Sequence, residues 1–344
     1  MEEKKRNHKM DNEKGALIFL VVLGHLLELC PGGTESFLYL AIYSFHMPAF
    51  AFCSGYFAKW NPKRLVQGVL YPYLCFQILY VAFDRGFLKE TFSQPFTRPY
   101  WLLWYLMSIA FWLLLLPLIS RYLHLGLWLL GASIALALFI GFVPWIGYRF
   151  SLSRTFVLFP FFLAGYLYRN GKLFCNGEPI RRGKLLPSGE LFHNRESGIL
   201  PRLVLLAVPG AASGLVLLWL NRSAMEPGWL YHALSYQRGN YTLWIRGLLL
   251  LNAGAWTLSL LFFLPDRRLP FLSLLGENTM AVYLLHGFFI KAAKADGLSW
   301  DSRPESLLLL LFISLVLCLL LGNPVTKRLF HFLFSGEWLD RLLC

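Results

Sequence analysis

Long apolar stretches separated by short polar segments run through most of this chain. Ten can be counted, several of them near the roughly 20 residues that a helix needs to cross a bilayer. Several stretches carry prolines, among them Pro48, Pro72, Pro117 and Pro160, which membrane helices tolerate when their neighbours satisfy the freed carbonyl groups. The pattern therefore predicts an all-α membrane protein with about ten transmembrane helices. The predicted helices cover residues 15–30, 37–58, 65–83, 101–120, 125–143, 154–169, 201–220, 243–264, 271–292 and 306–321.

The composition agrees with this class. Hydrophobic residues make up 57% of the chain and charged residues 15%, against roughly 25% charged in soluble domains, and the mean hydropathy is +0.52. A net charge of +13 would favour a nucleic-acid partner in a soluble chain, but here the basic residues fall in short loops, so we expect no such partner. Six cysteines without CxxC or metal-like spacing are expected to be free thiols.

The distribution of lysine and arginine predicts the topology. With alternate loops assigned to opposite sides, 21 basic residues lie on the side of the amino terminus and 10 on the other, with Arg246 inside a span. The positive-inside rule then places both termini in the cytoplasm, and we expect a multi-pass protein of the bacterial cytoplasmic membrane. The predicted organisation is a charged cytoplasmic segment at 1–14, a membrane domain at 15–321 with a cytoplasmic loop at 170–200, and a cytoplasmic tail at 322–344.

The first predicted helix carries ionisable residues at membrane depth. His25 and Glu28 are three positions apart and hence share a helix face. Lys14 lies eleven positions before His25, and eleven steps of about 100° return almost to the same angle. Because an ionisable group at that depth is costly, this stripe should face protein or water rather than lipid. One face thus joins a basic group at the membrane edge to a buried imidazole.

Four sequence blocks stand out by their order and spacing: KGALIFLVVLGH (14–25), FHMPAFAFCSGYFAKW (45–60), RTFVLFPFFLAGYLY (154–168) and LGENTMAVYLLH (275–286). Two further pieces are KRLVQGVLYPYLCF (63–76) and WYLMSIAFWLLLLP (104–117). Together they resemble, over about residues 14–290, the acyltransferase-3 family of integral membrane acyltransferases, particularly the branch similar to fucose 4-O-acetylase.

The resemblance implies a ten-helix membrane enzyme that transfers an acetyl or other acyl group from cytosolic acyl-CoA, its co-substrate, to a hydroxyl of a carbohydrate. The implied acceptor is a glycan, a lipid-linked glycan or a cell-envelope sugar, in contact with membrane lipids. This chain departs from the family at two places. Lys14 stands where the family often has arginine, and Arg64 is followed by Leu65-Val66-Gln67 where many members carry a second arginine.

Acyl transfer to a sugar hydroxyl needs a base, because an alcohol attacks poorly until its proton is being removed. Histidine suits this role, since its pKa lies near operating pH, so His25 is the predicted general base. Glu28 is predicted to hold the imidazole tautomer and stabilise the imidazolium. The alternative for His25 is a histidine that only bonds a neighbouring helix.

Four other polar residues in or beside the blocks are predicted to bind substrate: His46, Arg154, Asn278 and His286. His46 and His286 can bind the acceptor or polarise the carbonyl, but histidines near helix ends are also common without a function. Arg154 can contact the acceptor or the oxyanion, or can reach the interface as arginines at helix ends do. Asn278 can orient substrate or cap a helix start.

The phosphates of CoA require fixed cations near the cytoplasmic face. Lys14, Lys63 and Arg64 are the predicted acyl-CoA contacts, although each can instead be a charge that only sets topology. Lys14 is the strongest of the three, because it shares the helix face of His25.

Two other classes of chemistry fit less well. No metal-binding spacing is present, so no metal is predicted, and Ser54-Gly55 lacks the flanks of a nucleophile elbow and is expected to serve close packing.

The rival function is a proton-coupled secondary transporter or exporter of a small or lipid-linked metabolite, since such carriers also have about ten helices and intramembrane histidines. A receptor-like domain without catalysis is a third reading.

Overall fold

The computed structural model describes residues 7–30, 33–173, 199–222, 226–301 and 303–339. In these ranges the chain is helical, with short turns and no β-strand. The predicted loop at 170–200 falls mostly outside the described residues, as do the first six and last five residues. Cys30, Cys53, Cys75 and Cys318 are free thiols, as expected, whereas Cys175 and Cys344 lie outside the described ranges.

The helices follow one another with short connections, and prolines often stand at their first turns, where a missing N–H costs nothing. A helical run over residues 62–88 joins two α-helices through a π-helical turn at Val66–Leu70. The α-helices are α1 His8–Leu27, α2 Gly33–Tyr43, α3 His46–Phe57, α4 Pro62–Leu65, α5 Tyr71–Phe83, α6 Trp104–Arg121, α7 Gly126–Phe139, α8 Leu152–Arg169, α9 Ile199–Arg222, α10 Tyr236–Gly239, α11 Leu243–Phe263, α12 Pro270–Glu277, α13 Thr279–Ala295, α14 Pro304–Leu321, α15 Pro324–Leu329 and α16 His331–Phe334.

Seven helical stretches in the described chain are long and apolar enough to cross a membrane. The predicted membrane class therefore holds, but the predicted count of ten is not confirmed. The three remaining predicted spans are helical and differ from the seven in length or polarity: α1 begins with several charged residues, the apolar part of α9 is short, and the stretch over 271–292 is broken at Asn278 into α12 and α13. The seven stretches are Ser36–Phe57, Pro62–Leu88, Trp101–Arg121, Leu123–Phe142, Arg149–Arg169, Leu243–Phe263 and Pro304–Leu321.

The connections gather at two ends of the helix bundle. At what we call the amino-terminal end, Asn7 Nδ2 donates to Tyr56 Oη (2.7 Å), and the backbone N–H of Gly336 donates to the carbonyl of Gln67 (2.9 Å). Both ends of the described chain therefore lie at one end of the bundle. Which membrane face this is stays a prediction.

The other end, which we call the opposite end, is closed by contacts between connections that are distant in sequence. The N–H of Trp300 donates to the carbonyl of Leu29 (3.0 Å), and that of Phe150 donates to the carbonyl of Thr97 (2.7 Å). The segment after α9 joins them, because Ser153 Oγ donates to a carbonyl within it (2.7 Å). The first of these bonds ties the connection after α13 to the end of α1.

Helix α1 lies in the middle of the bundle, packed against α3, α12, α13 and α14. Its close approach to α12 depends on glycine: a Cβ on Gly15 would overlap the backbone of Leu272, and one on Gly276 would overlap the backbone of Asp11. Such backbone contact is the usual way that membrane helices pack tightly. The apolar residues of α1 between Lys14 and His25 are accordingly sealed from solvent, with Leu17, Ile18, Val21 and Val22 among the buried core.

Candidate active site

His25 lies near the end of α1, and one of its ring nitrogens is held by two partners. Its Nδ1 is 2.9 Å from Glu28 Oε1 and 2.8 Å from Tyr43 Oη. The Tyr43 hydroxyl itself donates to Glu28 Oε1 (2.7 Å), so Nδ1 must carry the proton. The described residues make no hydrogen bond to Nε2, which therefore presents its lone pair. That tautomer is the one that a general base requires.

Glu28 is held by a third group. Lys294, in the last turn of α13, pairs with Glu28 Oε2 and lies over the ring of Trp101, 5.5 Å from its centroid. Trp101 in turn packs edge-on against the His25 ring, with centroids 4.7 Å apart. Lys294 is partly exposed, whereas Glu28 and His25 are largely enclosed. The carboxylate thus has a fixed orientation toward the imidazole.

The structure brings two further predicted histidines to this place. The His286 ring is stacked against that of His25 at 5.5 Å, and the His46 ring contacts that of Tyr43 at 4.9 Å. His286 Nδ1 donates to the carbonyl of Val282 (2.9 Å), so its Nε2 is also an acceptor, buried and without a hydrogen-bond partner in the described chain. We call His25, Glu28, Tyr43, His46 and His286 the histidine cluster.

A break in the helical stretch over 36–57 places both Tyr43 and His46 in the cluster. The backbone leaves the helix between α2 and α3, where Phe45 has φ −141°. Side chains take up the carbonyls at the break: Ser44 Oγ donates to that of Ala41 (2.7 Å) and His46 Nδ1 to that of Ile42 (2.7 Å). Asn252 Nδ2, on α11, donates in turn to Ser44 Oγ (3.0 Å). Irregular backbone at membrane depth survives where protein covers it.

Arg154 approaches the cluster through two tyrosines. Its Nε donates to the carbonyl of Tyr231 (2.9 Å). The Tyr231 hydroxyl bonds that of Tyr39, and its ring lies 5.8 Å from that of Tyr43. The structure thus places Arg154 one residue beyond the cluster, at the opposite end.

The three predicted acyl-CoA contacts lie at the amino-terminal end. Lys14 Nζ pairs with Asp11 (3.1 Å) and lies over the Phe57 ring at 4.5 Å. Lys63 and Arg64 are exposed on α4. None of the three reaches the histidine cluster, which lies about three helical turns along α1. Their role toward CoA stays a prediction.

Asn278 lies apart from the cluster, two turns before His286. Its amide donates to the carbonyls of Gly322 (2.8 Å) and Leu274 (3.1 Å), which ties the junction of α12 and α13 to the end of α14. It also lines an open cavity of about 700 Å³ beside Arg268 and Arg328. These bonds favour an architectural function, while a substrate contact stays a prediction.

Ser54 and Gly55 pack against neighbouring helices. Ser54 Oγ bonds Tyr105 Oη (2.8 Å), and a Cβ on the adjacent Gly55 would overlap the backbone of Phe162. This pair thus mediates the packing of α3 against α8. Within the described ranges, no three His, Cys, Asp or Glu side chains are grouped as they would be to hold a metal ion.

Sequence reasoning missed three residues of this site. Tyr43, Trp101 and Lys294 reach His25 or Glu28 from other helices, and each is an ordinary residue for a membrane-helix end. A lysine closing an otherwise apolar helix was the one available signal. Glu13 is fully buried on α1, and neither of its oxygens has a well-formed hydrogen bond in the described chain. Its polar neighbours are the Cys53 thiol and Lys9.

A family model described as an acyltransferase domain, acyltransferase-3, matches residues 7–323. This covers the histidine cluster and all the predicted site residues. No solved structure matches the chain.

Two curated relatives are similar to part of the chain, and both are called nodulation protein NolL. The protein of Mesorhizobium japonicum is 30% identical over 186 residues, covering 47% of this chain and 48% of the relative. That of Sinorhizobium fredii is 33% identical over 193 residues, covering 47% of this chain and 49% of the relative. The chain therefore spans about half the length of the curated relatives it matches.

Proposed function

Because this chain belongs to the acyltransferase-3 family, we propose that it is a membrane O-acetyltransferase that moves an acetyl group from acetyl-CoA to a hydroxyl of a glycan or cell-envelope sugar. The observation that carries the proposal is the state of His25. Its Nδ1 is committed to Glu28 and Tyr43, and its Nε2 is left as an acceptor. A buried imidazole held in this tautomer is suited to take a proton from an alcohol.

The reaction proceeds by direct transfer. The acceptor hydroxyl donates its proton to His25 Nε2 while its oxygen attacks the thioester carbon, which gives a tetrahedral intermediate. Collapse of the intermediate breaks the carbon–sulfur bond, and the imidazolium returns the proton to the leaving thiolate. The products are the acetyl ester and free CoA, with no net proton released. This route uses no nucleophilic side chain of the protein, and the Ser54 hydroxyl is hydrogen-bonded to Tyr105.

The neighbours of His25 supply orientation and charge. Glu28 accepts from Nδ1 and stabilises the imidazolium as it forms, as the carboxylate does in a hydrolase triad. Tyr43 and Lys294 fix that carboxylate from two further directions. The buried His286 Nε2 can accept a hydrogen bond from the acceptor or from the pantetheine amide.

The two substrates approach from different ends of the bundle in this proposal. Lys14, Lys63 and Arg64 lie at the amino-terminal end, assigned above to the cytoplasm, where acyl-CoA is found. Arg154, Tyr231 and the aromatic residues around them lie at the opposite end, toward the acceptor. The bacterial cytoplasmic membrane is the location that suits both.

The test is transfer of radiolabel from acetyl-CoA to a panel of sugars and lipid-linked glycans by the purified full chain in detergent. We expect label in a glycan with the wild type, no label with His25→Ala, and full activity with His124→Ala, which changes an exposed histidine elsewhere. Transfer by His25→Ala near the wild-type rate would refute the base assignment. If the wild type neither bound acetyl-CoA nor transferred label, proton-coupled transport would become the better explanation.

A further inference from the structure

Two arginines lie against one tyrosine ring at the opposite end of the bundle. The Cζ atoms of Arg98 and Arg154 are 4.8 Å and 5.2 Å from the centroid of Tyr148, and Arg154 Cζ is also 4.8 Å from the Trp104 ring. The two guanidinium groups are therefore within about 10 Å of each other, where like charges still repel in a partly desolvated place. Arginine stacked on aromatic rings keeps its hydrogen-bonding edges available.

Nothing in the described chain neutralises this pair. The ion pairs found there include neither Arg98 nor Arg154. The hydrogen bond from Arg154 Nε to the carbonyl of Tyr231 leaves the two terminal amino groups of the guanidinium. Arg154, Tyr148 and Trp104 are all half-buried, so a solute can reach them. A cation in such a place is stabilised by an anion that accepts from its edge.

A second observation nearby comes from His232, whose ring lies close enough to Arg246 and Arg154 for both charges to act on it. Its backbone has φ 55°, in the left-handed region that few non-glycine residues adopt. Both ring nitrogens are buried and have no hydrogen-bond partner in the described chain, and the residue is 4% exposed. Its carbonyl accepts from Ser153 Oγ (2.7 Å), beside Arg154 in sequence. Burial and the charges of Arg246 and Arg154 lower the pKa of His232 to about 3, so this imidazole is a neutral donor and acceptor.

We propose that Arg98, Arg154 and His232 form a subsite for a negatively charged group, a phosphate or a carboxylate, carried by the acceptor glycan. This rests on the function proposed above and names the substrate class of the same site. Tyr231 connects the subsite to the histidine cluster, because its carbonyl holds Arg154 and its ring contacts Tyr43.

The same anionic chemistry could come from the phosphates of acyl-CoA. We assign it to the acceptor, because the other candidate phosphate contacts, Lys14, Lys63 and Arg64, lie at the amino-terminal end, some three turns of α1 from the cluster. A charged acceptor held by Arg154 at one side of His25 and a thioester arriving from the other would meet at Nε2.

The test measures binding rather than transfer, with purified full chain in detergent and no acyl-CoA present. The probes are glucose 1-phosphate, glucuronate and methyl glucoside, titrated by calorimetry. We expect the two charged probes to bind the wild type about tenfold more tightly than the neutral one. Arg154→Gln should remove that difference, and Arg98→Gln, on an exposed residue, should reduce it about threefold. Arg121→Gln is the matched control, since Arg121 also lies over a tyrosine, Tyr122, at 5.8 Å.

Each contrary result overturns the inference. Equal binding of charged and neutral probes, or no binding of any probe to the wild type, would remove the anionic subsite. An equal loss in Arg121→Gln would show a nonspecific charge effect. If Arg154→Gln weakened CoA binding as much as that of glucose 1-phosphate, the subsite would belong to the donor. Charge-selective binding that depends on Arg154, in a protein without transfer activity, would refute the proposed function alone.

Discussion

Asn12 and His25 are both buried polar side chains of helix α1, yet the protein uses them differently. Asn12 Nδ2 donates to the carbonyls of Pro265 (3.1 Å) and Arg267 (2.8 Å), and its Oδ1 accepts from Ser273 Oγ (2.8 Å). His25 has one nitrogen held and the other without a hydrogen bond in the described chain. Burial removes the hydrogen bonds that both side chains would make with water, and only Asn12 replaces them fully with hydrogen bonds to protein groups.

The difference separates a structural polar residue from a candidate catalytic one. At the amino-terminal end of α1, the amide joins the helix to the turn before α12, where glycine backbone contacts also hold the two helices. At the other end, the imidazole is oriented by three helices and retains an acceptor. Four substitutions test whether the two ends of α1 divide their functions in this way.

The largest expected effect is that of His25→Ala on turnover. Removing a general base costs on the order of 10³-fold in kcat, while folding should be largely preserved because Tyr43 and Lys294 still bond Glu28 when the imidazole is gone. Acetyl transfer and the thermal midpoint of the purified protein should be measured together. A variant that lost activity only in proportion to its loss of folded protein would contradict the base assignment.

The second largest effect should be that of Glu28→Gln. It should lower kcat about 10²-fold, since an amide neither stabilises the imidazolium nor enforces the tautomer. The KM for acyl-CoA should change little. Glu90→Gln is the matched control, because Glu90 also pairs with a lysine of α13, Lys291, at 3.0 Å but is exposed to solvent. Similar losses in both variants would indicate that α13 needs its ion pairs for folding and that Glu28 has no special part in the reaction.

Asn12→Ala should behave in the opposite way to His25→Ala. Two carbonyls, one hydroxyl and the backbone N–H of Leu269, which donates to Asn12 Oδ1 (3.3 Å), would lose their partner. This loss should lower the free energy of unfolding by about 2 kcal/mol. The kcat of the protein that remains folded should be unchanged. Unfolding in denaturant, with activity normalised to folded protein, measures both quantities. A fall in kcat at unchanged stability would show that Asn12 takes part in the reaction, and would contradict the division of α1 into a structural and a catalytic end.

The sequence was sufficient to predict the helical membrane class. His25 and Glu28 were singled out because ionisable residues in an apolar helix are costly and hence conspicuous, whereas His46 and His286 were chosen mainly by the family resemblance. The sequence could not predict Tyr43 or Trp101, since aromatic residues are common at helix ends and only the tertiary packing selects these two. Which side chains of different helices contact one another depends on the tertiary fold.

The helix count shows a second limit of sequence reasoning. Hydropathy merged α12 and α13 into one span, but the structure breaks the chain at Asn278, whose amide bonds the carbonyl of Gly322 at the end of α14. Hydropathy also predicted one span over residues 37–58, whereas in the structure the chain leaves the helix between α2 and α3. Both breaks depend on partners far along the chain, which an apolar run does not reveal.

The smallest expected effect is that of Lys14→Ala, which tests whether the amino-terminal end of α1 touches the donor at all. If Lys14 contacts a phosphate, the KM for acyl-CoA should rise about threefold more than that for acceptor, a small change because Asp11 already shares the lysine charge at 3.1 Å. Lys9→Ala is the control, since Lys9 lies on the same helix over another phenylalanine, Phe262, at 5.8 Å. Equal changes in both KM values, or the same response to Lys9→Ala, would leave Lys14 with a structural function. The whole polar start of α1 would then serve packing, and the donor site would have to be sought elsewhere at that end.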